Sequence, residues 1–398
     1  MTDLETRVTP PGSATPRRAA PALLAYAAVR ALGLLALVLW SAARDKSAYT
    51  LLTARWDALW YTRVAELGYG YEVRLPNGDV HSNLAFFPLL PWLERLLHAV
   101  TPLSYADAGF VVSLLASLAA AWGVFAVADH VYGRRAGVCA VLVWAVLPVG
   151  IVQSMAYSES LFTALAAWSL YAVLTGRWVT AGALASLAGL TRPVGLAVVA
   201  AVWAAGVASF VRDRKARTAD GPPRREVRAA GARVAPRALG MLLAPLGAAG
   251  YALWVGHHTG KGLLGYLDVQ AGWRNGFDGG YAFARFVAEK FTSFPSALAG
   301  LGLIVGVALL VWLYVVCVRQ RQPLELLVYA GVVLALALCA SSYFGSKPRL
   351  LLPAFPLLLP LALALARLRT SRSALVVGCL AVASAGYGAW WLNGSGPP

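Results

Sequence analysis

Apolar runs recur along almost the whole of this 398-residue chain, and no other feature restricts its fold so strongly. A run of roughly 17–25 apolar residues crosses the ~30 Å hydrocarbon core of a bilayer as a helix. In lipid, every backbone polar group must find its partner inside the protein. Eleven spans are predicted, near 22–43, 107–130, 136–153, 160–175, 178–191, 194–211, 237–257, 295–318, 324–342, 350–367 and 374–392. The fourth and fifth are short, as tilted, broken or partly re-entrant segments would be. Charged residues make up 13% of the chain, against about 25% in a soluble domain. That leaves too little polar surface for a water-soluble globule. The fold class is therefore an all-α polytopic membrane protein, with one multi-span domain over 22–392. A disordered, Thr-, Pro- and Arg-rich N-terminus (1–21) precedes it, and a short tail (393–398) follows. The first span reads as a retained anchor rather than a cleaved signal.

The net charge of +16 does not require a nucleic-acid partner, because basic cytoplasmic loops are the rule in membrane proteins. With the N-terminus inside, twenty Lys and Arg fall in inner segments and thirteen in outer ones. The expected topology is a cytoplasmic N-terminus and an extracytoplasmic C-terminus. Two long outer loops then stand out, 44–106 and 258–294. The inner loop 212–237 is basic, without aromatic residues, and reads as a disordered lipid-facing strap. The four cysteines all lie in apolar runs and read as small core residues. His81, His257 and His258 lack metal-ligand spacing, so no cofactor or metal is assigned, and metal dependence is left open.

The stretch Arg55–Leu97 holds most of the aromatic, proline and acidic character between spans. Trp56, Trp60, Val64 and Leu67 recur at helical spacing, the pattern of a helix lying in the interface. Asp57 sits at its start. It reads either as a helix cap, worth about 1 kcal/mol, or as a catalytic carboxylate. The two roles are compatible, since a capping geometry also fixes where the carboxylate points. Pro76-Asn77-Gly78-Asp79 is turn chemistry, and Leu89–Val100 is a second apolar helix.

Three further blocks complete a pattern. After the Arg55-Trp56-Asp57-Ala58 block come Asn83 through Phe86, Phe87 and Pro88 to Pro91, then Tyr157-Ser158-Glu159-Ser160-Leu161-Phe162, then Thr191-Arg192-Pro193-Val194-Gly195. Together with Lys347-Pro348-Arg349-Leu350, this order resembles the PIG-V-type mannosyltransferases, enzymes of the GT-C fold. Val194 stands where that family usually has Asn. The resemblance implies a fold of about eleven transmembrane helices with a large first outer loop bearing interfacial helices. It also implies transfer of mannose from a polyprenyl-phosphate donor to a lipid-linked or envelope-glycan acceptor on the extracytoplasmic face. It points to the same Asp57 through the Trp-Asp match. The family's animal acceptor, a GPI precursor, is not carried over.

Such a transfer needs a base for the acceptor hydroxyl, positive charge for the leaving phosphate, and an apolar groove for the lipid. Asp57 is the expected base, a role worth roughly 10²–10⁴-fold in rate. Glu159 is a second catalytic candidate; it could bind acceptor, orient Arg192 or assist Asp57, or be an ordinary first-turn acid with Ser158 as cap. Arg192 and Arg349 are candidates for the phosphate; each is also read as a snorkelling arginine at a span's end. Arg55, Trp56, Asn83, Phe87 and Tyr157 complete the expected substrate contacts, and Arg30, inside the first span, has no assigned role. In the second outer loop, Lys261, Tyr266, Asp268, Gln270, Trp273, Arg274 and Asp278 suggest an acceptor-side lid. The expected partners are the bilayer, a polyprenyl-phosphate sugar and a lipid or glycan acceptor. A transporter or flippase of a lipid-linked sugar, a transferase of a different lipid-linked sugar, and an envelope scaffold are the alternatives. The acids gather in outer loops rather than in matched broken helices, which favours an enzyme over a transporter.

Overall fold

The computed structural model describes residues 15–219 and 224–396. The described part begins with α1 (Pro16–Ala42), whose Pro16 occupies the first helical turn, where a missing N–H costs nothing. Residues 16–21 are thus helical rather than disordered, and residues 1–14 lie outside the described part. The first long loop carries α2 (Ala48–Thr53), α3 (Asp57–Leu67), a hairpin of β1 (Glu72–Arg74) and β2 (Val80–Ser82), and α4 (Leu89–Val100). The hairpin turn closes at Leu75–Asp79, with Gly78 in the left-handed region that the turn requires.

The bundle continues with α5 (Tyr105–Tyr132), α6 (Arg134–Ala145), α7 (Ser158–Leu174), α8 (Trp178–Gly189), α9 (Leu196–Ala219), α10 (Arg224–Leu243) and α11 (Leu246–His258). The second long loop holds α12 (Gly265–Gly272), β3 (Gly276–Phe277) and α13 (Tyr281–Glu289). Then come α14 (Ser296–Arg319), α15 (Leu324–Cys339), β4 (Ala340–Ser341), the single turn α16 (Lys347–Leu350), α17 (Leu359–Arg367) and α18 (Thr370–Leu392).

Among the described residues, six helices are long and apolar enough to cross a membrane, and a bent pair around α16 and α17 makes a seventh candidate. The expected count of eleven is not confirmed. Each predicted run is helical, but several are short or interrupted. The run 136–153 stops as an α-helix at Ala145, two residues before Leu147-Pro148, where a proline forbids continuation. Arg30 seals that broken end: its guanidinium donates to the carbonyls of Ala145 and Gly150. The run 350–367 is broken by Pro353 and Pro356 and bends by 74°. The basic strap is also corrected. Helix α9 runs to Ala219 and α10 resumes at Arg224, because alanine and arginine are strong helix formers.

The core is built of small residues. Among the described residues, α5, α6, α7, α8 and α9 contribute long series of fully buried alanines around Phe125, Trp144 and Phe162. Without a hydrophobic drive in lipid, close backbone approach supplies the packing. Gly182 and Gly240 meet backbone to backbone between α8 and α10, leaving no room for a side chain at either position. Helix α14 is the most exposed of the long helices, with Gly300 and Cys317 its buried residues. Of the cysteines, Cys139 and Cys317 are buried as expected, whereas Cys379 is exposed on α18.

Candidate functional site

Four charged side chains from four distant parts of the chain converge beside the first long loop. Asp57 is the first residue of α3 and Glu159 the second residue of α7, so both carboxylates sit at helix N-termini, where the backbone dipole favours negative charge. Arg192 lies in extended backbone between α8 and the Pro193–Gly195 turn, and Arg349 lies in α16. Arg349 Nη1 is 2.7 Å from Asp57 Oδ2 and 3.4 Å from Glu159 Oε1. Arg192 Nη1 is 2.6 Å from the same Glu159 oxygen. Two acids and two guanidinium groups thus form a neutral cluster, the arrangement in which buried charges can persist.

Exposure separates the two acids. Glu159 is 2% exposed and Asp57 is 23% exposed. A substrate hydroxyl can reach Asp57, whereas Glu159 stands behind it and holds both arginines. Two hydroxyls complete the inner wall. Tyr61 Oη and Ser158 Oγ are 2.7 Å apart, and Arg192 Nη1 donates to the same serine oxygen at 3.3 Å. Burial pushes the Tyr61 phenol well above its ordinary range, so it stays protonated. The Arg349 guanidinium rests over the Tyr157 ring, 5.0 Å from its centre.

The backbone around Asp57 is unusual. Trp56 has φ of 53°, a region costly for a bulky residue. Its side chain packs against the cluster of Leu51, Leu52 and Tyr157, and the Arg55 guanidinium covers its ring at 4.1 Å. Trp56 occupies the cap position of α3, so the capping reading of Asp57 does not hold; Asp57 lies inside the first turn and makes no capping hydrogen bond. Ser158 likewise does not cap α7. The buried face of α3 is Ala58, Tyr61, Val64 and Ala65, not the expected Trp56–Trp60–Val64–Leu67 stripe; Leu67 is exposed. The face turns because α3 packs on α4 and α5 rather than lying free in the interface.

The structure brings Asp57, Glu159, Tyr157, Arg192 and Arg349 together, with Trp56 and Arg55 flanking. Asn83 and Phe87 are placed elsewhere. Asn83 is fully buried and donates to Gly68 O while accepting from Gly70 N, which fixes the turn leaving α3. Phe87 packs on Tyr251 and Tyr266. Their amide and ring faces are used inside the protein. Tyr61 and Ser158 are site residues that pattern reading passes over. Tyr61 follows Asp57 by four positions and so shares its helical face. Lys347 is a third: its Nζ donates to Ala337 O and Ala340 O at 2.7 and 2.9 Å, which ties α16 to the end of α15 and positions Arg349.

The second long loop packs on the first. Trp273 donates to Ser82 O and stacks on His81, and Arg274 pairs with Asp79 at 2.6 Å. Strand β3 pairs with β4, just before the segment bearing Arg349. Burial holds the His81 imidazole below its ordinary range, with nearby Arg274 adding to the effect and Asp79 opposing it. Asp278 accepts from the backbone of Ala282 and Gly280, and these bonds hold its carboxyl below the usual range. Lys261 and Asp268 form an exposed pair at 3.4 Å. Tyr266 donates no bond outward; Gln270 Nε2 donates to its hydroxyl.

This helical bundle, with a charged cluster under two long loops, has the fold of the GT-C membrane glycosyltransferases. It superposes on ArnT from Cupriavidus metallidurans bound to undecaprenyl phosphate with a TM-score of 0.53 at 15% identity, covering 91% of this chain and 64% of that one. Against the apo ArnT of the same organism the values are 0.51, 17%, 87% and 62%. The chain therefore spans less than two thirds of the length of either. Residues 31–218 match the model of the family described as Mannosyltransferase (PIG-V). Asp57, Glu159 and Arg192 lie within the match, and Arg349 lies beyond it. No curated protein matches the sequence.

Proposed function

We propose that this protein transfers mannose from a polyprenyl-phosphate-mannose donor to a hydroxyl of a lipid-linked or envelope-glycan acceptor, at the extracytoplasmic face and with inversion. The observation that carries this reading is Arg349 spanning both Asp57 and Glu159. ArnT, of the same fold, was crystallised with undecaprenyl phosphate, which supports a lipid-phosphate donor here.

In the resting arrangement Arg349 is paired with Asp57. An incoming phosphate competes for the same guanidinium, a donor suited to bind it. Arg349 then turns to the phosphate and Asp57 is released to face the acceptor. The acceptor oxygen forms its bond to the sugar C1 as the C1–O bond to phosphate breaks. The hydroxyl proton passes to Asp57, and polyprenyl phosphate leaves, its charge held by Arg349 and Arg192. A single displacement inverts the anomeric centre. Glu159 holds both arginines in position, and Trp56 and Tyr157 wall the sugar side. The second loop, docked through Trp273 and Arg274, covers the acceptor side.

The test is an in-membrane assay with radiolabelled polyprenyl-phosphate-mannose, followed by identification of the product that gains label. Wild type is expected to move label to a new lipid or glycan, and Asp57→Asn is not. Label that crosses the membrane while still on its original lipid would instead identify a flippase.

A further inference from the structure

A cavity of about 280 Å³ lies at the junction of α1, α18 and the segment leading to α16. Arg44, Tyr343, Trp390, Trp391 and Asn393 line it, and none has a part in the reaction above. Its chemistry is mixed in a specific way. The Arg44 guanidinium touches only the Trp40 ring and has no acid partner among the described residues. Trp390 and Tyr343 are each 55% exposed and present ring faces and edges to it. Asn393 is 3% exposed, and its amide nitrogen is satisfied by Ser41 Oγ and Ala389 O. Its Oδ1 has no donor among the described residues, although a buried polar atom without a partner costs free energy.

The wall is also fixed in place. Lys46 Nζ donates to Asn393 O at 2.6 Å and so ties the end of α18 to the start of the first loop. A side chain at Gly396 would press on the Tyr343 hydroxyl. The cavity is connected to the charged cluster through packing: Trp391 and Leu392 belong to the same apolar cluster as Trp56 and Tyr157. Tyr343 and Arg349 stand on one short segment.

A cation without an acid partner among the described residues and aromatic side chains, in a cavity just under the roughly 300–1,000 Å³ of small-molecule sites, fit one ligand chemistry. We infer that this cavity binds a single sugar residue carrying a phosphate, the headgroup portion of the acceptor. The sugar's apolar face lies on Trp390 and Arg44 takes the anionic oxygens. This inference rests on the glycosyltransferase reading for the word acceptor, but not for the binding itself. Trp residues at a span's end also form the interfacial belt, and a belt would bind no soluble sugar.

The experiment is calorimetric titration of the full-length protein in detergent with mannose 6-phosphate, mannose and inorganic phosphate. Binding of the sugar phosphate is expected to exceed that of either part alone. Arg44→Gln and Trp390→Ala should each weaken it by about tenfold, Trp390→Tyr should retain most of it, and Asp57→Asn should leave it unchanged. Failure of Asp57→Asn to lose transfer would count against the function while leaving this site standing. The site is overturned if no sugar phosphate binds, if inorganic phosphate binds as tightly as the sugar phosphate, or if neither Arg44→Gln nor Trp390→Ala changes the affinity of a protein whose thermal midpoint is wild type.

Discussion

Arg349 meets two carboxylates at once, so its loss differs from the loss of either acid. Asp57→Asn removes the one acid with an open face. Transfer should fall by roughly 10²–10⁴-fold with little change in unfolding midpoint, measured on purified protein by product formation and thermal scan; wild-type turnover would exclude Asp57 as base. Glu159→Gln should behave in the opposite sense. It strands Arg192 in a nearly closed site, and an unpaired buried charge costs about 3–5 kcal/mol. A lowered midpoint is therefore expected, and an unchanged one would mean that Arg192 finds other compensation. Arg349→Ala should raise the apparent KM for donor more than that for acceptor, and an equal effect on both would argue against a phosphate role. These four residues were legible because charges stand out in so apolar a chain. Their mutual distances were not legible, since residues 57, 159, 192 and 349 meet only through tertiary packing. Asn83 and Phe87 read as ligand contacts because polar and aromatic residues at a membrane boundary look alike whether they face inward or outward.

The two long loops form a docked pair, held by Trp273 on His81 and by Arg274 on Asp79. His81 titrates below the ordinary imidazole range because the docked loop desolvates it. A depressed value means that protonation favours the undocked form. Docking is thus complete above the ordinary histidine range, near 6.5, and weakens as pH falls through the depressed value. Amide exchange over Glu72–Ser82 should accelerate in acid in wild type, and not in His81→Gln. Equal acceleration in both would assign the change to another group. Trp273→Ala should accelerate it at all pH values. Pairing of this kind escapes pattern reading: the two-residue strands Gly276–Phe277 and Ala340–Ser341 are too short to carry an alternation. By contrast, the breaks of the bundle follow prolines visible in the chain, Pro148 and Pro353 among them.

At the scale of the molecule, the charge asymmetry of the loops is the basis for proposing a cytoplasmic N-terminus. In a variant lacking the four native cysteines, Glu66→Cys should react with a membrane-impermeant maleimide in intact cells, and Arg321→Cys should not. The reverse pattern would put the charged cluster on the cytosolic side and remove the extracytoplasmic reading. The helical class was legible from composition because lipid permits so few alternatives. The number of full crossings was not, because a short helix braced by neighbours and one standing alone have the same apolar content.

Helix α14 is the most exposed of the long helices and directly follows the docked second loop. Much of its surface faces acyl chains, so its tilt answers to their length as well as to its contacts through Tyr314 and Cys317. Lipids of unequal thickness should therefore pull differently on the loop it carries, and turnover in nanodiscs should pass through an optimum as chain length is varied. The bilayer acts here as an adjustable part of the machine rather than as its container.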